Sequence, residues 1–390
     1  MKLFQFGFVT LILVCARLSA AAPVYSVTEI GTLGGPITEA LGINDNGDIV
    51  GRAYLPSTAS GTGPLHAFVY HHANGSVVDL GAPGGSQSEA FSINDSGHII
   101  GEVYGTQSTH GTNWFPVVWL PNGGLQLLAG PYPNGYGMYV TYNGISNTGL
   151  IVGQGYINDV AGDRAIWYNN GTIANLGTLG GSSSNAGAVS TQGTYIAGTS
   201  LLKSTDPATG RPAHAFLYRN GVRTDLGALP GGTYSTAMGV NNNGAAVGYS
   251  EIGQVGSCTP SPYFPEVSHA FVSQNGKMTD LGNLANSTAC ESWAEAINDT
   301  GEIVGWSDAI TTGNVQVERA FLYSGGQLLS LTFLDWGDPA WGFVRFTDAV
   351  GINCNGWIAA NGFDSRNPNV FKTYLLIPKS PLRPQCPRPQ

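Results

Sequence analysis

The sequence predicts an all-β fold, a seven-bladed β-propeller with four antiparallel strands in each blade. Three observations predict it. A motif whose clearest copies match Ile-Asn-Asp-x-Gly-x-Ile-x-Gly recurs seven times along the chain. Two further motifs follow it in a fixed order, with turn-forming residues between them. Glycine supplies 56 of the 390 residues and charged residues only 11%, which favours short strands and tight turns over helices.

The first motif predicts a β-hairpin that forms the first two strands of a blade. It is clearest at residues 43–51, 93–101 and 297–305, and its seven turn glycines are spaced 44 to 57 residues apart. Weaker copies begin at Ile145, Val189, Val240 and Ile352. Asn, Asp and Gly tolerate the positive φ angles of a tight hairpin, so we interpret the Asn-Asp-x-Gly segment as a turn. It lacks the distal glutamate of an EF-hand calcium loop.

The second and third motifs predict the third and fourth strands. His-Ala-Phe occurs at residues 66–68, 214–216 and 269–271, with variants in the other four units. Asp-Leu-Gly begins at Asp79, Asp225 and Asp280, with relatives at Glu29, Leu127, Asn175 and Ser330. Arg or Lys replaces the repeated histidine in three units, which excludes a common metal ligand. We therefore expect these histidines to form structural hydrogen bonds.

The ends of the chain predict how the ring closes. Residues 25–30 form a lone fourth-strand segment, and the last unit has only its first three strands. We therefore expect residues 25–30 to pair antiparallel with residues 371–376 and protect the open edges. Small residues on one face of the first strand, such as Ala40 and Gly42, predict that this strand is innermost, where the bulky face of the next blade interlocks with it.

Residues 1–22 have the organisation of a secretory signal peptide, with Lys2, an apolar run and small residues before the cleavage point. Residues 23–377 are then the propeller, and residues 378–390 a proline-rich tail. The whole chain has a formal net charge of −9, and loss of Lys2 and Arg17 makes it more negative. This disfavours nucleic acid and anionic lipid as partners. No later apolar run is long enough for an integral membrane segment.

The three motifs, in this order over residues 25–376, resemble the extracellular HAF-repeat family, named for its His-Ala-Phe triplet. The triplet is intact in three of the seven units, so the resemblance depends on the whole pattern. It implies a bacterial protein that is secreted or held in the cell envelope, extracellular or periplasmic. It brings no established activity and no catalytic residue.

Four cysteines remain after removal of the signal peptide, which permits two disulfides in an exported protein. The predicted topology places Cys258 and Cys290 on one face of the ring, called the top, with the loops between strands 2 and 3 and between blades. It places Cys354 and Cys386 on the other face, called the bottom, with the tight hairpins. Because a disulfide needs Cα atoms within about 7 Å, we predict Cys258–Cys290 and Cys354–Cys386.

The long top segments contain most of the candidate ligand-binding residues. These segments vary in length and collect aromatic residues, whereas the bottom hairpins are short and uniform. The aromatic candidates are Tyr132, Tyr136, Tyr139, Trp293, Trp336 and Trp341. Such rings either stack on a sugar or peptide or pack the loops onto the propeller, and the sequence leaves both interpretations open.

Three carboxylates form a second candidate cluster. Glu39, Glu89 and Asp348 each lie four residues before the isoleucine of the first motif, at the top of the innermost strand on three consecutive blades. They either bind a cation, serve as acid and base on a glycoside, or simply line a solvated channel mouth.

Motifs for a catalytic nucleophile, a phosphate loop or a bound cofactor are missing from the sequence, so we assign no catalytic residue and expect no cofactor. The sequence therefore favours a non-catalytic binding or scaffold module for a carbohydrate or another extracellular polymer, a polysaccharide or a protein. The rival hypothesis is a propeller glycoside hydrolase or polysaccharide lyase that uses the acidic cluster.

Overall fold

The computed structural model describes residues 24–57, 63–107, 111–128, 141–155, 162–203, 212–255, 266–286, 290–311, 313, 315–333 and 341–379. These residues form twenty-eight strands in seven four-stranded antiparallel sheets. The predicted all-β, seven-bladed propeller is therefore confirmed. Within the described ranges, the helical residues are the short 3-10 turn Leu331–Phe333 and Trp341.

Each of the first six blades takes four consecutive strands, in the predicted order. Blade 1 contains β2 (Thr38–Ile43), β3 (Ile49–Tyr54), β4 (Leu65–His71) and β5 (Ser76–Asp79). Blade 2 contains β6 (Gly85–Ile93), β7 (Ile99–Gln107), β8 (Gly111–Trp119) and β9 (Leu125–Leu127). Blade 3 contains β10 (Thr141–Ile145), β11 (Ile151–Gly155), β12 (Arg164–Asn169) and β13 (Thr172–Gly177).

The remaining blades repeat this arrangement. Blade 4 contains β14 (Gly180–Val189), β15 (Ile196–Leu202), β16 (Ala213–Arg219) and β17 (Val222–Gly227). Blade 5 contains β18 (Ser235–Val240), β19 (Ala246–Val255), β20 (Glu266–Gln274) and β21 (Lys277–Gly282). Blade 6 contains β22 (Ser292–Ile297), β23 (Ile303–Ile310), β24 (Gln316–Ser324) and β25 (Gln327–Ser330). Blade 7 contains β26 (Val344–Ile352), β27 (Ile358–Asp364), β28 (Asn367–Pro378) and the N-terminal strand β1 (Tyr25–Glu29).

The N-terminal strand closes the ring. β1 pairs antiparallel with β28, with Tyr25 opposite Pro378 and Glu29 opposite Tyr374. Closure by this strand is thus confirmed, although its partners lie a few residues beyond the predicted 371–376. The difference arises because β28 is twelve residues long and β1 covers only its C-terminal part. The predicted boundary at residue 377 falls inside β28.

The first strand of each blade is innermost, as the small residues predict. It contacts the first strands of both neighbouring blades, so these seven strands surround the central channel. Their backbones approach closely. A Cβ atom added to Gly42 would lie 2.9 Å from the carbonyl oxygen of Phe91 in the next blade. The small face therefore meets the neighbouring backbone, and the apolar clusters fill the space between adjacent blades.

The asparagine of the first motif links neighbouring blades at the bottom of the channel. Oδ1 of Asn44 accepts hydrogen bonds from the backbone N–H groups of Asn46 and Asp48, which closes its own turn. Nδ2 of Asn44 donates to the carbonyl oxygen of Asn94 in the next blade, at 3.1 Å. Equivalent bonds run from Asn94 to Ser146, from Asn241 to Asn298, from Asn298 to Asn353 and from Asn353 back to Asn44. The motif is thus a turn, as predicted, and also an inter-blade link.

The repeated histidine and the Asp-Leu-Gly aspartate form one pair between strands 3 and 4. Nδ1 of His66 lies 3.0 Å from the Asp79 carboxylate, and the pairs His214–Asp225 and His269–Asp280 repeat this at 2.8 and 2.9 Å. Each aspartate also accepts the N–H of the glycine two residues later, which has positive φ. The predicted structural role of the histidines is confirmed.

A serine of the next blade bridges the same two motifs. Oγ of Ser88 accepts the backbone N–H of Ala67 at 2.8 Å and donates to the carbonyl oxygen of Gly81 at 2.6 Å. The same bridge is made by Ser184, Ser235 and Ser292. These serines therefore join neighbouring blades.

The structure describes one cysteine of each predicted disulfide. Cys290 precedes β22 on the top face and Cys354 lies in the bottom turn between β26 and β27, as the topology predicts. Cys258 and Cys386 lie outside the described residues. We predict that peptide mapping under non-reducing conditions recovers Cys258–Cys290 and Cys354–Cys386, because each pair shares one face. Recovery of a pair that joins the two faces would contradict this assignment.

The asparagine links predict a stability difference between two asparagines of the turns. Asn94→Asp keeps the shape and the acceptor of the side chain but removes its buried bond to Ser146. We expect it to lower the free energy of unfolding by about 1–3 kcal/mol, measured by urea unfolding. Asn74→Asp is the control, because Asn74 lies in an exposed hairpin and only accepts a hydrogen bond, from the N–H of Ser76. Equal effects of the two substitutions would contradict the inter-blade role.

Candidate functional site at the channel mouth

Two residues from each blade form a ring at the top of the channel, which we call the mouth ring. One belongs to the first strand, and the other lies opposite it on the second strand, directly after the Ile-Val-Gly segment or its equivalent. The seven pairs are Glu39 with Arg52, Glu89 with Glu102, Thr141 with Gln154, Asn185 with Thr199, Thr236 with Tyr249, Trp293 with Trp306, and Asp348 with Asn361.

The predicted acidic cluster lies in this ring, on blades 7, 1 and 2, where one arginine is shared by two of its three carboxylates. Nε of Arg52 lies 2.5 Å from the Glu39 carboxylate, and its Nη1 lies 3.0 Å from that of Glu89. Asp348 accepts hydrogen bonds from the hydroxyl of Thr347 at 2.8 Å and from Nδ2 of Asn361 at 3.0 Å. The three carboxylates thus have partners within the protein.

The mouth ring also connects blades. Arg52 of blade 1 reaches Glu89 of blade 2, and the hydroxyls of Thr199 and Thr236 meet between blades 4 and 5. Asn361 of blade 7 accepts the backbone N–H of Ala40 in blade 1 at 2.8 Å and donates to its carbonyl oxygen. Side chains of the second strand therefore reach the first strand of the next blade.

Aromatic side chains replace the polar ones on blades 5 and 6. The rings of Tyr249 and Trp293 stack with centroids 4.0 Å apart and planes inclined by 13°. Tyr234 stacks on Tyr249 at 6.0 Å, and Trp306 lies tilted against Trp293 at 5.1 Å. We call these four residues the aromatic ladder. Trp293 is the member that the sequence predicts.

Glu295 lies beside the aromatic ladder. It is the bulged residue of β22, between Ala294 and Ala296. Burial is the main cause that raises the pKa of its carboxyl group to about 7, and the negative charge of Asp348 on blade 7 is the second. Glu295 also acts electrostatically on Tyr249 of blade 5. The carboxyl group of Glu295, on an innermost strand, thus interacts electrostatically with groups on both adjacent blades.

Glu102 is a second such carboxylate, on blade 2. Burial, and then the charge of Glu89, raise its pKa to about 7. Within the described part of the chain, neither Glu295 nor Glu102 forms an ion pair or a side-chain hydrogen bond. Further acids lie on blade 6. Burial, and secondly the negative charge of Asp308, raises the pKa of Glu291 to about 6. The same two causes raise the pKa of Glu318. Among the described residues, the mouth thus has more carboxylates than cationic groups to pair with them.

The other predicted aromatic residues give no second platform in the described structure. Tyr132, Tyr136, Tyr139 and Trp336 lie outside the described residues. Trp341 directly precedes the turn into β26, where it is partly buried and meets the ring of Tyr374 edge-on at 6.1 Å. Part of its surface therefore packs on the core between blades 6 and 7, and its role in ligand binding stays a prediction.

Five residues of the site were missed by the sequence analysis: Arg52, Glu102, Tyr249, Glu295 and Trp306. Four of them follow the Ile-Val-Gly segment, where the seven units differ widely although the preceding residues repeat. That variation within a regular motif is the signal that identifies them. Glu295 is the only charged residue at the bulge position, which in the other blades holds Leu41, Phe91, Asn143, Gly187, Met238 and Val350.

A metal centre finds no support in the residues that the structure describes, where no three His, Cys, Asp or Glu side chains are grouped to hold an ion. At the bottom of the channel, a cavity of about 80 Å³ is lined by Asp45, Asp95 and Asp299 among others. There, however, Asp95 and Asp45 accept the backbone N–H groups of Asp45 and Cys354. These carboxylates serve the inter-blade links.

Comparisons with known proteins support the fold. No family model and no curated protein sequence matches the chain. The β-propeller domain of the Trilobed protease from Pyrococcus furiosus aligns with a TM-score of 0.54 at 6% identity, covering 90% of this chain and 98% of that domain. The acylaminoacyl peptidase of Pyrococcus horikoshii aligns with a TM-score of 0.50 at 9% identity, covering 84% of this chain and 49% of that one. Identities this low show the fold alone.

Transmembrane helices are not found either, since no helix among the described residues is long and apolar enough to cross a bilayer.

The raised pKa of Glu295 predicts how stability depends on pH. Its folded-state pKa of about 7 exceeds the ordinary value of 4.5, so its contribution to stability is complete below about pH 4.5 and is lost as the pH rises through about 7. We therefore expect Glu295→Gln to raise the melting temperature at pH 8 and to change it little at pH 5. Thermal unfolding at the two pH values measures this.

Glu39→Gln is the matched control, because it removes a carboxylate that pairs with Arg52. We expect it to give no gain in melting temperature at either pH. A gain for both variants at pH 8 would mean that general charge repulsion, and not the environment of Glu295, sets the effect.

Proposed function

We propose that this protein is a secreted, non-catalytic binding or scaffold module that holds a carbohydrate or another extracellular polymer at its channel mouth. We also propose that it belongs to the HAF-repeat family and is exported by its signal peptide. The observation that carries the proposal is the aromatic ladder of blades 5 and 6 beside the unpaired carboxylate of Glu295.

The carboxylate supports a function because the fold does not need it. Burying an ionised group without a partner destabilises a protein. Four of the other blades place Leu41, Phe91, Met238 or Val350 at the same bulge, so an apolar residue fits this position. A buried charge that lowers the stability of the fold is typical of a ligand-binding site.

The aromatic ladder supplies the contact surface. Trp293 and Tyr249 already stack face to face, which leaves the end members, Tyr234 and Trp306, to offer ring surface to a ligand. A ring or base stacked on an aromatic side chain contributes about 1–3 kcal/mol in nucleic-acid sites. One or two such contacts give modest affinity, as expected of a module that binds a repeating polymer.

A propeller glycoside hydrolase is the second candidate, and one observation favours it. The pKa of Glu295 near 7 would keep it protonated at mildly acidic pH, as a general acid requires. Its neighbour Asp348 would then be the base or nucleophile. Asp348, however, is already bound by Thr347 and Asn361, and Glu39 and Glu89 both pair with Arg52. We therefore favour binding without catalysis.

Binding to a panel of immobilised glycans and extracellular proteins tests the proposal, with the mature chain from residue 23 as probe. We expect Trp306→Ala to weaken binding of the best ligand by about tenfold, the equivalent of roughly 1.4 kcal/mol. Tyr195→Ala is the control, because Tyr195 lies on the bottom face, against Gly244 and Arg219. Melting temperatures establish that both variants are folded. Equal loss of binding in both variants would contradict a site at the mouth.

Release of reducing ends from a bound polysaccharide separates the two candidates. We expect none from the wild-type protein. Release that disappears in Glu295→Gln would favour the hydrolase.

A further inference from the structure

The acidic side of the mouth differs from an ordinary polar channel because its charges are not balanced. Arg52 is shared by Glu39 and Glu89. Arg345 donates to the backbone carbonyls of Gly342 and Val344, and Arg319 to that of Glu318. No described cation is thus paired with Glu295 or Glu102. Because like charges gathered at a mouth attract the opposite charge, the missing partner is a cation.

The described residues do not favour a metal ion as that cation. A metal needs several ligands converging on one point, and the described acids contain no such group. The aromatic ladder instead suits an organic cation, because an ammonium or guanidinium group is attracted to the face of a tryptophan or tyrosine ring. A ring face beside a carboxylate recognises both the charge and the apolar stem of such a side chain.

The depth of Glu295 favours a slender group over a sugar ring. Glu295 lies two residues below Trp293 on the innermost strand, roughly 7 Å further down at the usual rise of a strand. A group that enters from the mouth must therefore extend past the aromatic ladder to reach Glu295, which a lysine or arginine side chain does more easily than a pyranose.

We propose that the polymer bound at the mouth is a basic protein segment, and that one of its lysine or arginine side chains passes the aromatic ladder to pair with Glu295. This inference rests on the proposed binding function and narrows its ligand class. The net charge of −9 assists the encounter, since opposite net charges increase the rate of association.

Fluorescence polarisation with labelled hexalysine tests the proposal, with hexalysine acetylated on every Nε atom as the neutral probe. We expect the wild-type protein to bind hexalysine at pH 8 and low salt and to ignore the acetylated peptide. Glu295→Gln should weaken the binding by about tenfold or more, as loss of one partner of a buried ion pair does. Glu29→Gln is the control of equal charge, because Glu29 pairs with Lys372 at the outer edge of blade 7.

The dependence on pH gives a second readout. Asp348 on β26 and Tyr249 on β19 are the titratable groups of the adjacent blades that interact electrostatically with Glu295. Glu295 ionises near pH 7, whereas lysine keeps its charge throughout. Hexalysine should therefore bind more tightly at pH 8 than at pH 6, and Glu295→Gln should remove most of this difference.

Three outcomes would overturn the inference. Equal weakening by Glu29→Gln and Glu295→Gln would indicate attraction to the overall charge only. Binding of a neutral or acidic glycan, with none of hexalysine, would leave the proposed function standing and the basic ligand wrong. If the folded protein binds no glycan, protein or peptide of either panel, the proposed function fails and the inference fails with it.

Discussion

The hydrogen bond from one asparagine to the next blade is the interaction on which the ring depends. Each such asparagine closes its own turn with its oxygen and holds the neighbouring turn with its nitrogen, as Asn44 does with Asn94. The last of these bonds runs from Asn353 back to Asn44, and the pairing of β1 with β28 closes the outer edge of the same blade. The ring is thus fixed at both its inner and its outer circumference.

The two ends of the channel differ because one kind of inter-blade link recurs at the bottom, whereas the links at the top differ from blade to blade. At the bottom, the same residue types recur and their polar groups are satisfied by neighbouring turns. At the top, the mouth ring varies from an Arg–Glu network on blades 1 and 2 to stacked aromatic rings on blades 5 and 6. Since the bottom links and the serine bridges between outer strands already join the blades, the residues at the top need not repeat.

The carboxylates at the mouth are of two kinds: those that form ion pairs within the ring, and those that have no ion-pair partner among the described residues. Glu39 and Glu89 share Arg52, so each has a cationic partner within the protein. Glu295 and Glu102 have no such partner among the described residues, and burial raises the pKa of both to about 7. The same environment that destabilises an empty site strengthens its attraction for a cation, because water no longer screens the charge.

The sequence alone determined the number of blades, the order of strands and the manner of closure, because these follow from local spacing and from turn residues such as Gly47 and Gly97. It also placed Glu39, Glu89 and Asp348 correctly on three adjacent blades. Only the tertiary structure showed that Arg52 joins two of these acids and that Tyr249 stacks on Trp293. Those contacts cross from the second strand of one blade to the first strand of the next, a relation that no spacing along the chain encodes. The surroundings of Glu295 were hidden for a related reason, since a bulge interrupts the alternation from which side-chain directions are inferred.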